Sequence, residues 1–477
     1  MTDTFQHSSP ESLFSQKFTS VSYVIKQYNI FKEAPCAPLR PLYNPATAIF
    51  TQPHIHNPIN SLSLDYVQAS NFVGNKKMTL QDGEEVELRP TVHPLKIFDL
   101  AKSQGRYVFA CAPMVRYSKL AFRQVVHHYG TDLCWTPMIL AKEFNRSSIA
   151  RDSDLTVSTS SGNGNGEGQQ QQWQQQQPLT IVQFGANSPL ELSRAASLAA
   201  PYVSGVDLNC GCPQSWACSE TLGAALMERR ELVRELVTET RARLRSDGWA
   251  VDLEASADDP RGRSVSVKIR VHKDLRKTMD FITTVLGGAS GGGRRNIDWL
   301  TIHGRTRSTP SSAAVNVEAL EILTEKFGRD VPILANGDVF TLGTLPYTSH
   351  LVELPTFTSS SDDESGPRAT TTTTNKKVPN IPNLRGLMSA RALLANPALF
   401  AGHETCPWEA VDLFLEKVAR APLPLKLAVH HLGEMTGPGY GPDKKALLSK
   451  RERMRLVECS NWIDVLETLE ELRRDKG

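Results

Sequence analysis

A cysteine set between a glycine and a proline, Gly211-Cys212-Pro213, follows a β-branched run that ends in Asn209. The flanking Gly and Pro make a tight turn that ends the run and points the thiol away from it. With an ordinary pKa near 8.5, a thiol is still protonated at neutral pH. It can therefore give up a proton in a desolvated site as well as act as a nucleophile. Other polar residues close similar apolar runs: Gln183 in TIVQF, Lys268 in VSVK, His303 in WLTIH, and Asn336-Gly337-Asp338 after VPILA. Two more turns, Ala112-Pro113-Met114 and Ser389-Ala390-Arg391, put small residues in the equivalent place. The set combines a proton donor, side-chain amides, a cation and backbone that can approach an anion closely.

Taken singly, each residue has a duller reading. A lysine that ends a strand commonly snorkels to the surface, and a lone histidine is commonly a satisfied structural group. Cys111, Cys134 and Cys210 read equally well as small buried hydrophobes. Cys210, Cys212 and Cys218 have C-x-C-x5-C spacing but no second cluster to complete a zinc or iron–sulfur site, so no metal is assigned. The set points to function because it recurs at equivalent points of successive repeats.

Those repeats are short β-branched runs at Tyr107–Ala112, Asp132–Thr136, Thr180–Phe184, Gly205–Asn209, Val265–Arg270, Trp299–His303, Val331–Ala335 and Leu384–Met388. Amphipathic patterns follow most of them, as at Pro189–Ala200, Arg230–Leu244, Leu275–Leu286 and Val317–Phe327. Eight such units in series predict an α/β fold, a (β/α)8 TIM barrel, whose active site forms where the strands end. In this 477-residue chain the barrel is expected over 94–402, with low-complexity insertions at 156–178 and 359–377. Residues 1–93, rich in Pro, Ser and Asn, read as a loosely ordered arm. Beyond Phe400 the alternation stops. Ala410–Arg420, Leu425–Met435, Lys444–Cys459 and Trp462–Leu472 predict a small all-helical domain over 403–477, broken at Gly437–Pro442 (GPGYGP).

These strand ends suit a flavin mononucleotide better than a metal or a hydrolytic triad. Such a site needs amides for the ring edge (Gln183, Asn209), a cation near N1 and the C2 carbonyl (Lys268), and close backbone for the phosphate. Asn336-Gly337-Asp338 and Ser389-Ala390-Arg391 meet the last need, and Arg391 adds charge.

Seven ordered stretches carry a family resemblance: APMVRYSKLAFR (Ala112–Arg123), VQFGANSP (Val182–Pro189), DLNCGCPQSWA (Asp207–Ala217), VSVKIRVHKDLRKT (Val265–Thr278), TIHGRT (Thr301–Thr306), PILANGDV (Pro332–Val339) and GLMSARALLANPALFAG (Gly386–Gly402). Together they resemble the tRNA-dihydrouridine synthases, and Asn-Cys-Gly-Cys-Pro-Gln most resembles the eukaryotic type-4 branch. The resemblance implies an FMN barrel joined to a helical tRNA-binding domain, with NADPH as reductant and reduction of uridines 20a and 20b of the D-loop to 5,6-dihydrouridine. It assigns FMN contacts to Ala112, Pro113, Met114, Gln183, Lys268, His303, Asn336, Gly337, Asp338, Ala390 and Arg391. Cys212 is implied to protonate C5 of the uracil after hydride reaches C6, and Asn209 and Arg305 to meet the RNA. Two departures stand out: Gly223-Ala224-Ala225-Leu226 where the family has Gly-Ala-Cys-Leu, and Gly439 in an insertion between His430-His431 and LLSKRERMR.

Composition bounds the partners. With 40% hydrophobic and 22% charged residues the chain has material for a sizeable core. No run approaches the ~18 apolar residues of a membrane helix, and Met1–Phe18 lacks a secretory pattern. The expected location is the cytoplasm, with the nucleus as a second compartment, and neither a membrane nor an obligate protein partner is indicated. A net charge of +2, from 53 basic against 51 acidic residues, sets up no global field for a polyanion. RNA contact therefore falls to a local patch, for which Lys450, Arg451, Arg453 and Arg455 are the expected grip. Two rivals are a flavin barrel oxidoreductase for a small molecule and a catalytically silent RNA-binding protein. The first has no use for the basic helix, and the second none for Cys212, Lys268 and His303.

Overall fold

The computed structural model describes residues 77–79, 85–87, 92–157, 178–287, 295–348 and 379–476. Eight parallel strands close a barrel in chain order: β1 (Val108–Cys111), β2 (Leu133–Leu140), β3 (Leu179–Gly185), β4 (Gly205–Cys210), β5 (Ser264–Arg270), β6 (Leu300–His303), β7 (Ile333–Asn336) and β8 (Leu384–Ser389), with β8 returning to β1. The sequence reading ends the second strand at Thr136, and Pro137, which follows, cannot donate to a ladder. The strand instead passes the proline on a bulge, where its register with β3 shifts between Trp135 and Met138. Thr136 Oγ1 accepts the Gln183 N–H there at 3.1 Å, so the ladder loses no partner.

Helices α1 (Pro94–Ser103), α2 (Leu120–His128), α3 (Ala141–Arg146), α4 (Ser148–Asp154), α5 (Pro189–Ala199), α6 (Ser215–Ser219), α7 (Arg230–Ser246), α8 (Leu275–Leu286), α9 (Val317–Phe327) and α10 (Arg391–Ala395) accompany the strands. The last of these is a stub of five residues. In α8, Thr278, Phe281, Ile282 and Val285 are the buried residues, the spacing of a single apolar stripe.

Inside the barrel, Ala110, Leu133, Trp135, Ile181, Trp299, Leu334 and Met388 pack with Leu95 and Phe98 of α1. The Phe98 ring lies 5.8 Å from that of Trp299, which is 6.2 Å from Trp135. Arg385, at the start of β8, donates to the Phe98 carbonyl at 2.7 Å. Helix α1 thus stoppers the N-terminal mouth with apolar bulk and leaves the polar residues to the other end.

Among its described residues, the N-terminal arm holds an element that its irregular pattern did not announce. Lys77–Thr79 and Glu85–Glu87 pair antiparallel. Three residues are too few to establish a period, although Asp82-Gly83 between them is a turn signal. The rest of the arm before residue 92, and the two insertions apart from 156, 157 and 178, lie outside the described residues.

The C-terminal helices are α11 (Trp408–Arg420), α12 (Leu425–Met435), α13 (Lys450–Glu458) and α14 (Trp462–Arg474). The helix expected from Lys444 begins only after Ser449. There Ser449 and Glu452 form a reciprocal capping box, a signal present in the sequence as S-x-x-E. These helices share one apolar core with the barrel. The His431 ring of α12 sits 5.2 Å from Phe122 of α2 and 4.9 Å from Phe414 of α11. Tyr440, within the Gly-Pro break, stacks on Phe340 of the β7 loop at 5.1 Å, so the helical region reaches the C-terminal mouth.

Phe98 is 1% exposed, and removing it opens a void against Trp299. Phe98→Ala should cost about 3–5 kcal/mol and lower Tm by several degrees in a thermal melt. An unchanged Tm would mean that α1 does not plug the barrel.

Candidate active site

Strand register stacks the polar residues in layers. Gln183 pairs with Asp207, Asp207 with Ser266, and Asn209 with Lys268. In the deeper layer Asp207 is fully buried. It accepts Gln183 Nε2–H at 2.7 Å and Ser266 Oγ–H at 2.6 Å. Burial pushes its carboxyl up to about 6, against the pull of these donors and of the Lys268 charge. Gln183 Oε1 in turn accepts Asn209 Nδ2–H at 2.8 Å. One buried carboxylate therefore fixes which way both amides point, with no choice of flip left. Asp207 and Ser266 were not singled out in the sequence; two polar residues two positions before Asn209 and Lys268 in the same strands were the available signal.

Asn209 also shapes the cysteine turn. Its Oδ1 accepts the N–H groups of Gly211 and Cys212 at 3.0 and 2.8 Å. Arg270 at the end of β5, likewise missed, donates from Nε to the Gly211 carbonyl at 2.8 Å and from Nη1 to the Thr306 carbonyl at 2.8 Å. From the other side Ala224 N–H bonds the Cys212 carbonyl at 2.8 Å. Gly223 has φ +59, and a Cβ there would lie 2.6 Å from that carbonyl and 2.8 Å from Cys212 Cβ. Only glycine fits, so the Gly-Ala-Ala-Leu stretch keeps its structural part despite the alanine at 225. Cys212 is partly exposed at the mouth, whereas Cys111, Cys134 and Cys210 are buried. Burial pushes their thiols up, that of Cys111 to about 12, which leaves Cys212 the available thiol of the strand-end set.

Lys268 is 9% exposed, and its ammonium makes no hydrogen bond to any described residue. Burial, then the Arg270 charge, lowers its ammonium to about 8, partly offset by Asp207 and Cys212. His303 Nε2 faces Arg305 Nη1 at 3.1 Å. Since arginine can only donate, this nitrogen accepts and the proton sits on Nδ1. Burial, then Lys268, Arg270, Arg305 and Arg391, holds the ring neutral by lowering it to about 2.

Arg305, expected at the RNA or in a structural salt bridge, makes the salt bridge. It is 4% exposed, donates to the Ala313 carbonyl from Nε at 2.8 Å and forms an ion pair with Asp338. The other Asp338 oxygen accepts Val315 N–H at 2.8 Å, so this carboxylate is committed within the protein and only backbone remains there for a ligand. Gly337, at φ +104, lies against His303, Arg305 and Val315 with no room for a Cβ. Asn336 donates to the Met388 carbonyl at 2.8 Å, joining the β7 and β8 ends. Beside them Ala390 caps the stub α10, and exposed Arg391 donates to the Ser311 carbonyl at 3.3 Å and lies 5.6 Å from the Tyr440 ring. Loops after strands 7 and 8 with a short extra helix are the usual phosphate cradle of such barrels. Ala112, Pro113 and Met114 lie on the β1 loop, where Ser118 Oγ bridges the Ala112 carbonyl and the Met114 N–H.

The basic helix divides. Lys450 and Arg451 are exposed, and their side chains bond to no described residue. Arg455 pairs with Glu471. Arg453 turns inward, donating to the Gly433 carbonyl at 3.3 Å against α12, and so falls out of the expected grip.

Gly223→Ala should force the loop apart at a cost of about 1–3 kcal/mol and change the rate at which iodoacetamide alkylates Cys212. A variant with the wild-type Tm and alkylation rate would show that the turn is not so constrained.

The family described as Dihydrouridine synthase (Dus) matches residues 110–348. The chain is 37% identical over 327 residues to the human tRNA-dihydrouridine(20a/20b) synthase [NAD(P)+]-like protein, covering 68% of this chain and 80% of that one. It is 35% identical over 376 residues to the Schizosaccharomyces pombe tRNA-dihydrouridine(20a/20b) synthase [NAD(P)+], covering 78% and 91%. For the Saccharomyces cerevisiae protein of the same name the figures are 32% over 368 residues, 77% and 80%. A family match over residues 110–348 and relatives at 32–37% identity over most of the chain mean that it belongs to the dihydrouridine synthase family.

Proposed function

We propose that this enzyme reduces uridine to 5,6-dihydrouridine at positions 20a and 20b of the tRNA D-loop, with FMN bound in the barrel mouth and NADPH as reductant. The observation that carries the reading is the Lys268 ammonium, buried and without a hydrogen-bond partner among the described residues, on the strand position paired with Asn209. A buried cation without an acceptor is costly, and an anionic or carbonyl-bearing ring supplies the acceptor. The relatives' names carry the 20a/20b positions and NAD(P)+. Family membership sets aside the small-molecule barrel oxidoreductase.

The donor set fits FMN. Lys268 and the Nδ1–H of His303 offer hydrogen bonds to the ring, and the backbone of 336–338 and 390–391 suits the phosphate, with Arg391 close by; Gln183, expected at the ring edge, is instead fully buried beneath it with its amide taken up by Asp207 and Asn209. Bound FMN supplies the hydride that reaches C6 of the uracil. The remaining work falls to the chain. Cys212 Sγ, held on a turn that Asn209, Arg270 and Gly223 clamp, gives its proton to C5, and partial exposure lets it regain one from water. Arg270 Nη2 has no bond among the described residues and adds positive charge at the mouth. Lys450 and Arg451 are our assignment for the phosphate grip, with Arg455 available once its exposed pair with Glu471 opens.

Purified protein should be yellow. Lys268→Ala should weaken flavin binding by about 1.5–3 kcal/mol, roughly tenfold to a hundredfold. Cys212→Ala should keep the flavin and oxidise NADPH yet make little dihydrouridine by mass spectrometry, with Cys210→Ala active. Colourless protein that takes up no added FMN, or Cys212→Ala working at the wild-type rate, would sink the assignment.

Reversing Lys450 and Arg451 to glutamate should weaken tRNA binding and reduce its salt slope by about one log unit per contact, with flavin content unchanged. An unaltered slope moves the grip elsewhere.

A further inference from the structure

The cysteine turn leads straight into α6, whose one buried residue is Ala217. The residue before it, Trp216, keeps 43% of its surface in solvent, while Trp135, Trp249, Trp299 and Trp462 are buried. Its ring forms no aromatic pair with any described residue. A single exposed apolar side chain is ordinary on a protein surface, but this one is fixed in place. Trp216 Nε1 donates to Gln214 Oε1 at 2.6 Å, and the same oxygen lies 4.0 Å from Cys212 Sγ. One amide oxygen therefore ties the indole to the immediate surroundings of the thiol.

The footing beneath is equally firm. Leu222 N–H bonds the Ala217 carbonyl at 2.8 Å, and Ser219 Oγ donates to the Trp216 carbonyl at 2.8 Å. Together with the clamps on Gly211 and Cys212, these hold a flat apolar face at the rim of the mouth, pre-oriented before any substrate arrives.

We infer that Trp216 is a stacking platform for the nucleotide adjacent to the uridine being reduced. The inference rests on the proposed function. A base drawn into the barrel loses its stack, and so does its neighbour. An aromatic face replaces that stack and accepts any base, because every base has a π-face. Tolerance matters here: an enzyme acting at both 20a and 20b meets a different flanking nucleotide at each, and a pocket built to hydrogen-bond one base would reject another. Asn209 and Lys268 lie inside the barrel, whereas Trp216 offers an exposed aromatic face beside the cysteine turn.

The test uses the full-length flavin-loaded protein and tRNA transcripts that keep a single target uridine. Trp216→Ala should lower kcat/KM for tRNA about 5- to 100-fold, the range expected of one base–aromatic stack, with flavin content and tRNA-free NADPH oxidation unchanged and Trp216→Phe recovering most of the loss. Transcripts with an abasic residue 5′ or 3′ of the target separate stacking from a loop effect. On one side the abasic site should cost the wild type as much as Trp216→Ala costs with normal tRNA, and should cost Trp216→Ala almost nothing more. Wild-type kcat/KM in Trp216→Ala, or equal abasic losses in both proteins on both sides, overturns the platform. Failure of the wild type to make any dihydrouridine overturns the underlying function instead.

Discussion

The mouth of this barrel is organised from below by the Asp207 carboxylate, buried between β3 and β5 and accepting from Gln183 and Ser266. Its bond to Gln183 leaves Gln183 Oε1 free for Asn209 Nδ2, which turns Asn209 Oδ1 toward the N–H groups of Gly211 and Cys212. The direction of every bond follows from the fact that an ionised carboxylate can only accept. The arrangement has a cost. A carboxyl raised to about 6 in the fold, above the ordinary aspartate value of about 4, contributes stability that is fully present below about pH 4 and lost as pH rises through 6. Near neutrality the fold carries a destabilising charge in exchange for a fixed site.

That charge is also what the cations above it need. Lys268, Arg270, Arg305 and Arg391 all act on His303, and Asp207 and Asp338 are the acids that the structure sets against them. Arg305 is neutralised by Asp338, while Lys268 keeps its charge without a hydrogen-bond partner. The result is a neutral histidine beside a buried cation, an environment that favours an anion or a polarised carbonyl over another base.

The helical region is less separate than its sequence boundary suggests. Its core runs into that of the barrel through His431, Phe122 and Phe414, and Tyr440 seats on Phe340 and Arg391. A packed junction of this kind relates the exposed Lys450 and Arg451 to the thiol more closely than a flexible tether could.

Much was legible in the chain itself. Eight β-branched runs with polar residues at their ends dictated the barrel and nearly the whole strand-end set, because strand alternation and short connections leave those residues no other place to converge. The Ser449-x-x-Glu452 cap was equally legible and marks where α13 starts. What depended on neighbours was not. Asp207 reads as one more strand residue until β3 and β5 bring Gln183 and Ser266 against it. The second run reads as ending at Thr136 until a bulge carries β2 past Pro137. Arg305 and Arg453 read as exposed cations until Asp338, Ala313 and Gly433 claim them. Periodicity records which face a residue occupies; whether its charge is free or taken is a matter of distances across the fold, and only tertiary packing sets those.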